Sequence, residues 1–428
     1  MMRTVTGRKL WLIYFWIILF LLQNRLQQWF EPFQYVDELF ALLAVPLAFV
    51  RLFQKKLHLV WTREKKLFLV LMLIFWVSGW CGFFRWHYQP FMNAAKDAYV
   101  NMKFFLAAGA SYLMFAYEDI DFEQIRRKLW PLVNGAAIFL CVLCAADLCF
   151  GIFDADMRGG LRSVKLFYSA YTILAGCCVF LCAISLWMYE EKGKKIIPQL
   201  LMLVFVMLST RRVKAMGATA CILLIYLLVF RKRQKMKQKL KVFAGAVLGV
   251  AAVAGVYQVI SYYILMGVES ARAVLTIAAP FIAMDHFPFG TGWGTYGSAF
   301  SAEPYSPVYG MYRMAGVWGL SPDYPDFVSD TFWPMILGQC GFFGLLALIG
   351  VLILLTKKIL SLKAEKSAFA SALLLMVYLL ISSTSESAFA NPMAVPLAFW
   401  LGILFAQKKT VDKDGRVCGE IKSAEKIS

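Results

Sequence analysis

Three histidines, a charged fraction of 16% and fewer acidic than basic residues (26 against 44) are the shortages of this 428-residue sequence. Each one removes a class of protein. With charge so sparse and apolar residues at 61%, the chain cannot cover the surface of a water-soluble fold. The ten cysteines fall mostly inside apolar runs (Cys141, Cys144, Cys149, Cys177, Cys178, Cys182) and none has metal-ligand spacing. With so little histidine beside them they read as small buried hydrophobes, and no metal or cofactor is expected. The first apolar run reads as the first of many spans and not as a cleaved signal.

What is abundant is apolar length. Runs of about 17 to 25 residues cross a hydrocarbon core of roughly 30 Å. Twelve candidate spans lie near 10–22, 36–53, 67–84, 99–117, 131–153, 167–188, 196–209, 214–230, 242–265, 332–355, 367–383 and 393–407. The prediction is an all-α polytopic membrane protein. Residues 1–265 carry spans one to nine, 266–331 form one long extracytoplasmic loop before the tenth span, 332–407 carry the last three, and 408–428 form a cytoplasmic tail.

Charge orients this arrangement. With the N-terminus cytoplasmic, the inner segments hold 32 Lys and Arg and the outer ones 11, as retention of positive segments inside requires. The net charge of +18 is then explained by topology and an anionic membrane surface, and nucleic acid is not needed as a partner. The outer cations differ in kind: Arg25, Arg85, Arg158, Arg162, Arg211, Arg212, Arg272 and Arg313 are eight of the eleven, whereas inside Arg supplies nine of 32. Topology needs only charge. Guanidinium is preferred where a planar fork grips a phosphate or carboxylate at two points, so the outer face reads as built for an anion.

The 266–331 segment is too long to be a plain connection. It opens with a helix-compatible stretch bearing Arg272, passes through Asp285-His-Phe-Pro-Phe-Gly-Thr-Gly-Trp-Gly-Thr-Tyr-Gly297, and closes on Ser321-Pro-Asp-Tyr-Pro-Asp-Phe-Val-Ser-Asp330. Its aromatic residues, among them Trp293, Tyr296, Tyr305, Tyr309, Tyr312 and Trp318, suit either sugar stacking or anchoring at the membrane interface. Asp323, Asp326 and Asp330 share a helical spacing that Pro322 and Pro325 disfavour, which weakens a carboxylate metal cluster. Asp330, at the mouth of a span, has two readings: helix N-cap or general base. Lys103 and Asp147 fall within spans, where ionisable groups are costly. They read either as an ion pair between adjacent helices or as part of a substrate cavity.

These pieces together resemble the O-antigen polymerase and O-antigen ligase family of bacterial membrane glycosyltransferases. The resemblance runs over about residues 200–355. Thr210-Arg211 stands where the family has Ser-Arg, and Arg272 precedes a turn containing His286 and Pro-Phe-Gly-Thr-Gly. Asp330-Thr331 stands ahead of Gly341-Phe-Phe-Gly344, where ligases carry a catalytic His, and Gln339 replaces a frequent Glu. The resemblance implies metal-independent joining of undecaprenyl-diphosphate-linked oligosaccharides at the outer face of the bacterial cytoplasmic membrane, with both termini inside. It implies Arg211 and Arg272 as a diphosphate clamp and Asp330 as base. Arg212, Arg313, His286, Trp293, Tyr296, Lys103 and Asp147 are the substrate-binding candidates. The Asp in place of His favours a surface-polysaccharide polymerase (capsule or exopolysaccharide), with a flippase and a chain-length regulator as partners. A ligase, or a lipid-linked oligosaccharide flippase, is the alternative.

Overall fold

The computed structural model describes residues 2–53, 62–118, 120–230 and 260–407, with Gly245, Gly249, Val253, Val256 and Tyr257 ahead of the last stretch. The basic run 231–241, most of the ninth predicted span and the tail lie outside the described residues.

The described chain is helical almost throughout. In order come α1 (Met2–Trp29), α2 (Val36–Leu42), α3 (Ala44–Phe53), α4 (Arg63–Trp86), α5 (Phe91–Phe115), α6 (Phe122–Phe150), α7 (Tyr171–Trp187), α8 (Tyr189–Lys192), α9 (Ile196–Ser209), α10 (Val213–Phe230), α11 (Ala271–Asp285), α12 (Pro307–Met311), α13 (Trp333–Leu360), α14 (Lys366–Ser382) and α15 (Ala394–Ala406). Among the described residues the sheet is one two-stranded hairpin, β1 (Met157–Arg158) with β2 (Leu161–Arg162). Boundaries follow local chemistry. Thr62 and Asp121 cap α4 and α6 by accepting from the amides of Lys65 and Gln124, and α6 ends on Gly151 in the left-handed region.

Among the described residues six helical stretches are long and apolar enough to cross a membrane, one of them (Glu31–Arg51) made by α2 and α3 together, or seven with the bent pair Tyr171–Trp187 and Tyr189–Ser209 taken as one span. The chain is thus an all-α membrane protein, and the count by this measure falls below twelve. Three reasons account for this: α5 carries Lys96, Asp97 and Lys103, α14 and α15 are short, and most of the ninth predicted span lies outside the described residues.

Small residues let helices approach each other. Gly402 of α15 lies so close to α5 that an added Cβ would come within 2.7 Å of Ser111 Cβ, and one on Gly350 of α13 within 2.8 Å of a Leu71 methyl on α4. Polar contacts then gather connections at one end of the bundle. Asn24 bonds Ser169, Arg211 bonds the carbonyl of Arg162, Asn93 bonds the carbonyl of Glu303, and Ser387 bonds the carbonyl of Ser329. Lys9, Arg51, Arg126 and Glu190 make the corresponding links at the other end.

Candidate functional site

The glycine-rich turn is packed into the helices. At Gly341 the backbone of α13 departs from helical geometry, which releases the carbonyls of Gly338 and Gln339. The amides of Thr291 and Gly292 take them, both at 2.9 Å. Gly82 of α4 meets this turn so tightly that a Cβ would sit 2.6 Å from the Gly292 amide nitrogen, and Gly292 itself has φ near 98°. Asp97 holds the turn from α5, accepting from the Gly294 amide at 2.8 Å and the Ser298 hydroxyl at 2.5 Å. Asp97 is absent from the sequence-predicted site. It sits just ahead of the fourth predicted span, where nothing local marks it as the buried anchor of a segment two hundred residues away.

Trp293 and Tyr296 are fully buried, which removes both sequence readings for them. The Trp293 indole donates to the Trp76 carbonyl at 3.2 Å, and the Tyr296 hydroxyl donates to the Leu275 carbonyl. Tyr296 also accepts on its own carbonyl from the Gln339 amide at 2.7 Å. His286 is a packing residue. Its Nδ1 lies 2.9 Å from the Ile282 carbonyl, which only accepts, so Nδ1 carries the proton and Nε2 accepts from the Tyr88 hydroxyl at 3.1 Å. Burial pushes the Tyr88 phenol up, which keeps it a donor there. Burial, then the Asp285 carboxylate it bonds, push the Tyr312 phenol up as well.

Lys103 and Asp147 do not meet. Lys103 is buried against Asp37 at 2.7 Å and Glu38 at 3.3 Å, because α2 and not α6 faces it. Asp147 accepts from Arg162 at 2.9 Å and from the Phe153 amide at 2.8 Å, fixing the hairpin to the end of α6. Arg211 belongs to the same structural unit. It adopts φ near 53°, uncommon for a residue with a side chain, and its Nε donates to the Arg162 carbonyl at 3.1 Å. Arg313 is exposed at the end of α12, also with positive φ.

Arg272 and Asp330 do come together. Their Nη2 and Oδ2 lie 2.7 Å apart, both partly exposed. The N-cap reading of Asp330 is therefore overturned: α13 starts at Trp333, its cap position is Phe332, and the carboxylate reaches across to the start of α11 instead. Asp323 and Asp326 point away into the exposed surface. Among the described residues no group of three His, Cys, Asp or Glu side chains is placed to hold a metal ion.

The pair opens onto a cavity of about 680 Å³ lined by Arg158, Arg212, Lys214, Arg272, Glu269 and Asp330, with Trp318 and Phe327 as its aromatic wall. Its four cations outnumber its two carboxylates. Arg212 lies over the Tyr171 ring at 4.2 Å and 3.5 Å from Asp156; Lys214 meets Glu386 at 2.9 Å. Such a cavity attracts an anion and offers it guanidinium and ammonium donors. Of the two neighbouring arginines in the turn between α9 and α10, Arg212 lines the cavity and Arg211 does not. Lys214 is legible in the sequence only as a third cation two residues beyond Arg212, and Glu386 is not legible at all, because its segment, 383–393, carries no motif.

No family model matches this chain, and no curated protein matches it.

Proposed function

We propose that the chain is a membrane glycosyltransferase that polymerises undecaprenyl-diphosphate-linked oligosaccharide repeat units into a surface polysaccharide. The observation that carries this reading is the cationic cavity in which Arg272, paired with Asp330, shares walls with Arg212 and Lys214. The family resemblance of residues 200–355 supplies the substrate class. The twelve-span topology, with the cavity on the outer face of the bacterial cytoplasmic membrane and both termini inside, rests on the Lys and Arg asymmetry between alternate connections.

In this reaction an acceptor hydroxyl oxygen attacks the anomeric carbon of the donor sugar. The bond from that carbon to the phosphate oxygen breaks, and its electron pair leaves on the lipid diphosphate. The hydroxyl proton passes to the Asp330 carboxylate. Arg272, Arg212 and Lys214 stabilise the charge growing on the leaving group, and in a site of low dielectric each well-placed donor contributes about 3 kcal/mol. Arg272 has a second part: held 2.7 Å from Asp330, it links diphosphate recognition to the orientation of the base. The aromatic ring offered to a sugar is that of Trp318, which lines the cavity. In this reading Arg211 acts indirectly: its hydrogen bond to the Arg162 carbonyl ties the turn between α9 and α10, which carries Arg212, to the hairpin.

The test is direct. Purified protein incubated with a lipid-linked repeat unit yields a glycan ladder and free lipid diphosphate. Transfer of one preformed chain to a different acceptor, with no ladder, replaces the polymerase by a ligase. Passage of intact substrate across a vesicle, with no new bond, removes the enzyme reading altogether.

A further inference from the structure

A second, smaller cavity adjoins the cationic one. It has a volume of about 210 Å³ and lies between the start of α7, the end of α14 and the 383–393 connection. Thr172 lines both cavities. Glu386 lines the small one, and its ion pair at 2.9 Å with Lys214, which lines the large one, bridges them. The chemistry of the two walls differs. Where the large cavity has four cations, the small one has a single charged group, the Glu386 carboxylate, beside Thr172, Tyr378, Ser382 and Asn391. Its remaining wall is apolar, formed by Leu379, Pro392, Met393 and Leu397. Among the described residues the side chains of Thr172 and Asn391 make no hydrogen bond within the protein, so their polar atoms are available to a ligand.

These features sort ligands. A phosphate is repelled by the carboxylate and finds no cation of its own in the small cavity. An acyl chain would bury the polar atoms of Asn391 and Thr172 without partners, at a cost of about 1–3 kcal/mol each. A neutral polyhydroxylated ring meets both demands: its hydroxyls donate to the carboxylate and exchange hydrogen bonds with the amide and hydroxyls, while its C–H face lies on the apolar wall. We infer that the small cavity is a saccharide subsite, with Glu386 and Asn391 as the residues that bind sugar hydroxyls. The inference rests on the proposed function for its place in the reaction, where this ring is the acceptor end and Glu386 sets which hydroxyl turns toward the donor. The pairing with Lys214 then makes the two subsites report to each other: occupation of the large cavity by diphosphate draws on Lys214 and frees the Glu386 carboxylate for its hydroxyl.

The experiment uses the full chain in lipid nanodiscs and saturation-transfer NMR with methyl glucoside, methyl galactoside and N-acetylglucosamine at millimolar concentration. Transfer to at least one of these sugars is expected. It falls about tenfold in Asn391→Ala, which keeps the ion pair, and by at least as much in Glu386→Gln, while Arg272→Lys, in the other cavity, retains it. In turnover the same two substitutions raise the half-saturating acceptor concentration and leave that of the lipid-diphosphate donor in place for Asn391→Ala. Absence of saccharide binding, or binding that survives both substitutions, overturns the subsite whether or not the protein polymerises. Saccharide binding that obeys the pattern in a protein making no polymer keeps the subsite and removes the polymerase.

Discussion

Trp293 and Trp318 belong to one connection and look alike in the sequence, yet the first has no exposed surface and donates to the Trp76 carbonyl, whereas the second is 67% exposed and lines the charged cavity. Their neighbours explain the difference. Around Trp293 stand Gly290, Gly292 and Gly294, and the α4 glycines Gly79 and Gly82 receive the turn. Near Trp318, proline turns and exposed acids keep the backbone at the surface. The same connection thus supplies a plug for the helix bundle and a wall for a cavity. Aromatic content distinguishes neither role; the glycines on the opposing helix do.

The largest effects come from breaking the plug. Trp293→Ala removes a fully buried ring and costs about 4 kcal/mol. Gly292→Ala places a Cβ against the Phe83 backbone at a positive φ and costs about 3 kcal/mol. Both should shift the protein from a monodisperse to an aggregated peak in detergent size exclusion, with Trp318→Ala behaving as wild type. A well-folded Trp293→Ala protein would mean that the turn is a lid and not a plug.

Next in size are the effects on chemistry. Arg272→Lys keeps the charge and loses the fork, and Asp330→Asn keeps the shape and loses the proposed base. Each should lower polymer formation by about 10²-fold, read from the glycan ladder, while the thermal midpoint stays close to wild type because both side chains are partly exposed. Full activity in both variants would leave the cavity without a catalytic role.

How far the sequence carried this picture depends on range. Helices were legible because apolar runs report locally on their own length, and the membrane class followed from composition. Arg272 and Asp330 were legible as chemistry, through residue type and position beside spans, but their pairing was not: they are 58 residues apart and meet only because α11 folds back on α13. Lys103 shows the opposite failure. A search for its partner by membrane depth finds Asp147, while the actual partner, Asp37, sits in a helix whose acidic first turn reads as an ordinary helix start. Asp97 and Glu386 carry no local pattern whatever, since what defines each is a neighbour at long range: Gly294 and Ser298 for the first, Lys214 for the second.

The smallest effects divide two adjacent residues. Arg211 and Arg212 are equivalent in charge, but the Arg211 backbone is left-handed and its guanidinium serves the hairpin, whereas Arg212 lines the cavity above Tyr171. Arg212→Gln should therefore lower turnover about tenfold, the loss expected for one charge-assisted contact to the proposed leaving group, while stability falls by no more than about 1 kcal/mol through loss of the Tyr171 and Asp156 contacts. Arg211→Gly exchanges a hydrogen bond worth about 1 kcal/mol for relief of a left-handed strain of about the same size, so stability should barely move. Turnover in that variant then becomes the informative quantity. If the hairpin alone needs Arg211, activity survives; if it falls as far as in Arg212→Gln, the turn needs its tie to the Arg162 carbonyl to aim Arg212 into the cavity, and the two arginines act as one lever with a structural and a chemical end.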